Sequence, residues 1–388
     1  MFYDLASSSW GQEEHNAIQR VVDCGQFTMG PEVESFETQF AAYHKKKYAV
    51  MVNSGSSANL IAVAALCHKK NDPWQRGDEI IVPAVSWATT YHPLQQYGLR
   101  LKIIDIELDT LNADTGALEA AIGPRTRGLV GVSILGNPAR LDVMRKFCDD
   151  HNLVFLEDNC ESADAELGDI KAGAFGDIGT FSFFYSHHMA TMEGGMLITD
   201  DTELADLARC LRNHGWTRNL RKESAVFESS EMDRFEAYRF ILPGYNVRPI
   251  EMAGAIGKEQ LKKLPEMTAV RRDNLALFKS LFERDERFII QRENGVSSSF
   301  CFPIILNPAL KPNRSRIFAA LEDADIGFRI ITGGCITRHD VIRHFDYKTV
   351  GSLPNANIAH DFGFFTGNHP RDLTPQITGL YTTLDNAF

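Results

Sequence analysis

The sequence predicts an α/β fold: a large domain on a mixed, mostly parallel sheet, followed by a smaller α+β domain. Three observations predict it. Short apolar runs alternate with helical stretches from Tyr48 to Thr199, the pattern of strands joined by crossover helices. A small-residue turn, Asn53-Ser54-Gly55-Ser56-Ser57, separates one such run from an apolar helix. The chain's 388 residues suffice for two domains, at roughly 100–200 residues each. The expected division is 1–262 for the large domain and 263–388 for a bridging helix and the small domain.

The bulk properties narrow the function. Hydrophobic content of 44% and charged content of 23% are ordinary for a globular protein. A net charge of -11 argues against a nucleic-acid partner, because nothing offsets the phosphate backbone. No apolar run approaches the roughly 18 residues that span a bilayer, so no membrane partner is expected. The N-terminal stretch MFYDLASSSWGQEEHNAIQ has neither a basic leader nor an apolar core, so a cytoplasmic location is expected. The cysteines, at 24, 67, 148, 160, 210, 301 and 335, form no CxC or CxxC pair. They read as buried or incidental thiols, and no metal is expected.

Taken in order, residues 12–24 and 31–45 read as helices, with Phe36 and Phe40 four apart on one face. The stretch from Gly25 to Pro31, containing Phe27 and Thr28, links them as a turn. Tyr48–Val52 is a strand and Ala58–Leu66 a helix. Between them, Ser56 and Ser57 lie where free N–H groups and the helix dipole favour an anion; helix N-capping alone explains the same residues equally well. Glu79–Val82 is a strand that leads to Trp87. An aromatic at a strand mouth can stack on a flat ring, although a core tryptophan is the plainer reading. Leu101–Ile104 and Leu129–Val132 continue the alternation.

Val154–Leu156 is a buried-type strand ending in Glu157-Asp158-Asn159-Cys160-Glu161. A carboxylate there can pair with a protonated ring nitrogen and make the ring an electron sink. Thr180–Tyr185 and Met196–Thr199 are strands around a polar turn opened by Gly194 and Gly195. The charged stretch 219–235 reads equally as a solvated loop or a pocket lid. Helical sequence at Glu251–Lys263 and Met267–Phe282 leads to a mixed domain from about Phe288 onward. Within it Arg329 and Arg338, taken singly, read as surface charges.

The segment Phe181-Ser182-Phe183-Phe184-Tyr185-Ser186-His187, followed by Glu193-Gly194-Gly195, resembles the cofactor-lysine segment of the sugar-modifying branch of the aspartate aminotransferase (fold type I) superfamily, the DegT/DnrJ/EryC1/StrS family. That family uses pyridoxal phosphate (PLP). A histidine stands at the lysine position, and no lysine lies between Lys171 and Lys222. An imidazole cannot make the imine link that a lysine amine makes. It does move protons near neutral pH, with an ordinary pKa of about 6.5.

The resemblance spans the chain through five ordered elements: Ser54-Gly55-Ser56-Ser57, Trp87, Asp158, the His187 segment and Gly244-Tyr245-Asn246-Val247-Arg248. It implies an aspartate aminotransferase-like fold. It also implies that Ser56, Ser57 and Ser182 contact the cofactor, with Trp87 against its ring and Asp158 at its ring nitrogen. Glu161, where the family pattern has Gln, would lie near the phenolic oxygen. Asn246 would reach the phosphate of a partner subunit, making a homodimer with shared active sites. Arg248 would hold a substrate carboxylate or act as a structural ion-pair partner. Phe27, Thr28, His214, Arg218 and Arg329 become candidate substrate contacts.

With histidine in place of lysine, the resemblance implies a non-covalently held cofactor and elimination in preference to amino transfer. L-glutamate would convert PLP to pyridoxamine phosphate (PMP). The C3 hydroxyl of GDP-4-keto-6-deoxy-D-mannose would then leave, with His187 as the single proton carrier, in a route to colitose and O-antigen. Spacing from Ser182 and Glu193 selects His187 over the adjacent His188. Three alternatives stand: a nucleotide-sugar aminotransferase whose lysine has been replaced, a CDP-sugar 3-dehydratase using PMP and an iron–sulfur cluster, and a non-catalytic regulator on the same fold. The guanine base comes only from the resemblance.

Overall fold

The structure is a computed structural model and describes residues 2–218, 220, 224–227 and 238–388. Apart from Leu220 and residues 224–227, the stretch 219–235 lies outside the described residues.

The expected apolar runs form the strands of one large sheet. They are β1 (Tyr48–Val52), β2 (Glu79–Pro83), β3 (Arg100–Ile104), β4 (Thr126–Val132) and β5 (Val154–Asp158). A short hairpin, β6 (Glu166–Leu167) with β7 (Ile170–Lys171), precedes β8 (Ile178–Ser182) and β9 (Gly195–Thr199). Across the sheet the order is β1-β9-β8-β5-β4-β2-β3, and β9 alone runs against the other strands.

Helices cover both faces because the strands are apolar on both. Successive side chains of a strand point to opposite faces, and β2 shows it: Ile80 and Val82 join one core cluster and Ile81 another. Helices α1 (Gln12–Cys24) and α2 (Pro31–Tyr43) precede the sheet in sequence. Helix α3 (Gly55–Cys67) packs with Ile80 and Val82, beside α4 (Ala88–Gln96). Helices α5 (Leu118–Ala121) and α6 (Leu141–His151) pack with Ile81, and α7 (Thr202–Leu211) lies against α3. Phe36 and Phe40 are fully buried against Phe181 and Phe183.

Among the boundaries that differ from expectation, three have a local reason. Helix α3 begins at Gly55 because Ser54 caps it, its Oγ accepting from the Ser57 N–H at 3.0 Å. Strand β8 ends at Ser182, where the pairing with β9 ends at Gly195. The chain then turns, leaving Phe184 and Tyr185 about half exposed. The two helical stretches after residue 250 form one helix, α8 (Glu251–Phe282). Its buried residues Leu261, Leu264, Met267, Arg271, Asn274 and Phe278 continue at helical spacing past Pro265. The 262/263 division therefore falls inside a continuous helix.

The small sheet is antiparallel, in the order β10 (Phe288–Ile290), β11 (Cys301–Leu306), β14 (Gly363–Gly367), β12 (Phe328–Ile330). Helix α9 (Arg314–Asp323), α11 (Thr374–Ala387) and the end of α8 pack on it through Phe278, Phe282, Phe302 and Leu380. Helix α10 (Pro354–Phe362) contacts β11 and β14. Strand β13 (Tyr347–Thr349) leaves this domain and pairs parallel with β3, extending the large sheet. No helix of the described residues is long and apolar enough to cross a membrane.

At the joint of β8, β9 and α3 the backbone packs without room for a side chain. A Cβ at Gly195 would stand 2.2 Å from Ser54 O and 2.7 Å from the Gly55 N. Neither backbone atom can rotate away. Gly195→Ala is therefore expected to lower the thermal unfolding midpoint, at an overpacking cost of about 1–3 kcal/mol; an unchanged melting curve would contradict this packing.

Candidate active site

The carboxyl ends of β2, β4, β5 and β8 open on one edge of the sheet, where open α/β sheets bind ligands. The site is assembled there from the turns that follow these strands and from the start of α3.

At one end stands the N-terminus of α3. Ser57 Oγ donates to Asn53 Oδ1 at 2.6 Å, and Ser56 Oγ donates to Thr89 Oγ1 at 3.1 Å. The Ser57 and Ala58 N–H groups are taken by Ser54. Gly55 and Ser56 stand in the first turn of α3, whose N–H groups have no partner within the helix. Ser182 is buried against this turn; a Cβ on Gly55 would stand 2.4 Å from Ser182 Cβ.

Asp158 ends β5 and is 5% exposed. Its Oδ2 accepts from Asn59 Nδ2 at 2.8 Å and Thr90 Oγ1 at 2.7 Å, and its Oδ1 accepts from the Cys160 N–H at 3.2 Å. Asn59 is itself held by Thr180, which donates to its Oδ1 at 2.6 Å. Sequence reasoning missed Asn59 and Thr90. Asn59 carried a signal, as a polar residue inside the otherwise apolar run Ala58–Leu66. Trp87 caps α4 and is 58% exposed, with no ring stacked on it among the described residues.

Glu161 lies half-buried across the turn from Asp158. Its Oε2 accepts from the Leu135 N–H at 3.0 Å and from Thr332 Oγ1 at 3.5 Å. Burial pushes its carboxyl up to about 7, the Leu135 N–H opposing and the charge of Asp158 reinforcing the rise. Nothing in the sequence pointed to Thr332.

His187 and His188 have different environments. His188 is 1% exposed, and its Nε2 is hydrogen-bonded to Ser298 O at 3.1 Å. His187 is half-buried, edge-on to Phe300 at 5.2 Å and to Phe184 at 6.0 Å, with Nδ1 3.5 Å from Ser186 Oγ. Burial, and secondarily the positive charge of Arg271, push the His187 imidazole down to about 4, so it is neutral at pH 7.

The other candidate residues fall in separate places. Phe27 and Thr28 are exposed beside the start of α8: Phe27 O accepts the Glu251 N–H at 3.0 Å, and Thr28 bridges to Ile250. Arg248 Nε donates to the exposed Asn246 at 3.0 Å. Val247 O accepts the Asn53 N–H at 3.0 Å, which seats this segment beside the serine turn. His214 is exposed, in the left-handed region at φ 61°, its N–H donating to Tyr245 O at 2.7 Å. Arg218 lies 5.0 Å over the Trp216 ring. Arg329 is exposed on β12, and Arg338 pairs with Asp361 at 3.3 Å. The structure thus gathers Ser56, Ser57, Asp158 and Ser182 around the start of α3, Asp158 through Asn59 and Ser182 through Gly55. It attaches Asn246 and Arg248 to them through Asn53 and places Arg218 and Arg329 outside that network.

The donor set fits PLP. A helix N-terminus with serine hydroxyls suits a phosphate, a buried carboxylate suits a pyridinium nitrogen, and an open indole suits a ring face. Among the described residues no group of three or more His, Cys, Asp or Glu side chains is placed to hold a metal ion.

The chain is 47% identical over 384 residues to GDP-4-keto-6-deoxy-D-mannose 3-dehydratase of Yersinia pseudotuberculosis, covering 98% of both chains. It superposes with a TM-score of 0.96, at 47% identity, on the E. coli enzyme of that name with bound hydrated PLP, covering 98% of this chain and 99% of the other. A second superposition, with a TM-score of 0.95 at 46% identity, is on a variant of ColD, a dehydratase of the same name. It covers 97% of this chain and 100% of the other. In that variant a histidine is replaced by lysine and the serine just before it by asparagine. The one Ser-His pair in the present sequence is Ser186-His187. Residues 8–370 match the model of a single family, and the chain belongs to it: the DegT/DnrJ/EryC1/StrS aminotransferase family.

Proposed function

We propose that the chain is a PLP- and PMP-dependent sugar 3-dehydratase. It removes the C3 hydroxyl from GDP-4-keto-6-deoxy-D-mannose, with L-glutamate as amino donor. The products are GDP-4-keto-3,6-dideoxy-D-mannose, 2-oxoglutarate and ammonia. Glutamate supplies the electron pair by which the sugar loses one oxygen. The proposed form is a cytoplasmic homodimer in which Asn246 of each subunit reaches the phosphate in the other.

The observation that carries this reading is His187, neutral and half-buried, on the turn after β8 where the family has lysine. The 47% identity to enzymes named for this reaction supports it. So does the Ser-His pair altered in the ColD variant.

When bound, the cofactor supplies an amine that takes its nitrogen from glutamate and a ring that accepts electron pairs. Ser56, Ser57 and the first N–H groups of α3 hold its phosphate. Asp158, fixed by Asn59 and Thr90, holds the ring nitrogen, and Trp87 covers one ring face. Glu161 lies on the side of the ring oxygen. His187 carries the proton: neutral, it accepts one at Nε2, which makes no hydrogen bond among the described residues. It then returns that proton to the departing hydroxyl. A lysine amine would also deliver a proton to the sugar's C4 and leave an amino sugar; an imidazole confined to one position favours loss of the hydroxyl. Arg248 holds the carboxylate of glutamate. Phe27, Thr28, His214, Arg218 and Arg329 are the proposed sugar-nucleotide contacts.

The deciding experiment is product mass with nitrogen balance, using the protein with PLP, excess glutamate and GDP-4-keto-6-deoxy-D-mannose. A nucleotide sugar lighter by one oxygen, with ammonia released, is expected. An amino group in place of the ketone oxygen, with no ammonia, would make the chain an aminotransferase. His187→Asn is expected to lower dehydration by about 10²–10⁴-fold, the usual contribution of a positioned acid–base group. PLP should still be retained on gel filtration, by absorbance.

The two shifted groups also set opposite pH trends. Glu161 keeps its proton in the fold up to about pH 7 but in the unfolded chain only to about 4.5, so its contribution to stability falls as pH rises between these values. His187 is protonated below about 6.5 when unfolded but only below about 4 when folded, so its contribution is lost as pH falls through that window. Urea unfolding at pH 5 and pH 7 separates them. Relative to the parent, Glu161→Gln should gain stability on going to pH 7, and His187→Asn should lose less on going to pH 5.

A further inference from the structure

The wall beside His187 comes from the chain that leads into β11, and every residue of it is tied down. Ser297 Oγ and the Ser298 N–H both donate to Gly136 O at 2.9 Å. The Ser299 N–H donates to Ser297 Oγ at 2.9 Å, and the Phe300 N–H to Leu135 O at 3.2 Å. Ser299 sits at φ 46°, a left-handed conformation that a serine adopts only when its surroundings enforce it. Asn368 enforces it. Its Nδ2 donates to Ser299 O at 3.1 Å and to Ser299 Oγ at 2.9 Å.

Arg271, on α8, completes this arrangement. It is 4% exposed and pairs with no carboxylate among the described residues. Its Nη1 donates instead to Phe300 O at 3.2 Å and to Asn368 O. Burying a guanidinium without a counter-ion is costly, and here the charge is spent on two main-chain carbonyls from separate segments, one just before β11 and one just after β14. The segment before β11 touches both adjacent histidines. Ser298 O holds His188, and the Phe300 ring meets His187 edge-on at an interplanar angle of 70°. Phe300 also packs on His188 at 5.7 Å.

We infer that Phe300, clamped at its carbonyl by Arg271, is a positioning residue that fixes the plane of the His187 imidazole. The segment leading into the small sheet thereby takes part in setting the geometry of the proton carrier. The kinetic side of this inference rests on the dehydratase reading, because a proton carrier displaced by about 1 Å loses on the order of 100-fold in rate. Its structural side does not, because an aromatic ring against an imidazole shifts that imidazole's resonances whatever the reaction.

The test uses the full chain with PLP bound and ¹³C-labelled histidine. The His187 ring signal is identified by its loss in His187→Asn. Phe300→Leu is expected to move that signal and to lower kcat by about 10- to 100-fold, with the KM for the sugar nucleotide and PLP retention unchanged. Phe300→Tyr, which preserves the ring, should recover most of the lost kcat. Arg271→Lys, which keeps the charge but not the two-carbonyl grip, should move the same signal without touching the aromatic ring. An unmoved His187 signal in either Phe300→Leu or Arg271→Lys overturns the inference. So does a kcat for Phe300→Leu within about twofold of the parent, or a loss of kcat that only tracks loss of PLP. If the parent itself fails to dehydrate the sugar, the dehydratase reading falls, and the histidine signal still decides the positioning claim.

Discussion

The architecture depends on a steric constraint at one joint. The start of α3 presses against the end of β8 and the start of β9 so closely that neither Gly55 nor Gly195 has space for a methyl group. This contact fixes the serine turn relative to Ser182, and the turn bearing His187 departs from Ser182. The serine turn and the turn bearing His187 are thus tied through close backbone packing rather than through mobile side chains. Such a joint suits a site whose reacting groups must be held to a fraction of an ångström. Gly195, the last residue of the Glu-Gly-Gly signature after the histidine, meets the packing requirement of this joint.

Burial does most of the electrostatic tuning around it. Asp158 is surrounded by neutral donors from α3 and α4, which orient it without adding charge. Three residues on, Glu161 accepts a single main-chain N–H and one distant hydroxyl, and burial raises its carboxyl. His187 moves the opposite way for the same reason, because burial disfavours whichever form is charged. Two groups that would be charged and half-charged in water are brought to mixed and neutral states near pH 7. At that pH Glu161 is near its midpoint and can give or take a proton, whereas His187 is held in its proton-accepting form.

Much of this was legible in the sequence. Strand alternation, the serine turn and the carboxylate at the end of β5 follow from short-range patterns, whereas Trp87 and His187 stood out only through the family resemblance. The antiparallel course of β9 was not legible, because strand direction is settled by pairing with β1 and β8 rather than by composition. Neither was the continuity of α8, where buried residues on both sides of Pro265 outweigh a local helix breaker. In the site, Thr332 and the Leu135 N–H reach Glu161 from distant parts of the chain, and no local pattern encodes such meetings. Asn59 was legible in principle, since a lone amide in an apolar helix needs a partner.

The placement of β13 bears on how the molecule is made. β3 occurs early in the chain, yet its outer neighbour in the sheet is drawn from residues 347–349. During synthesis the hydrogen-bonding edge of β3 stays open until residues 347–349 have emerged. The large domain cannot close its sheet as an independent unit ahead of the small one. A ribosome-stalled or truncated product ending before β13 would carry a bare parallel edge, and the cell would meet it as a substrate for chaperones.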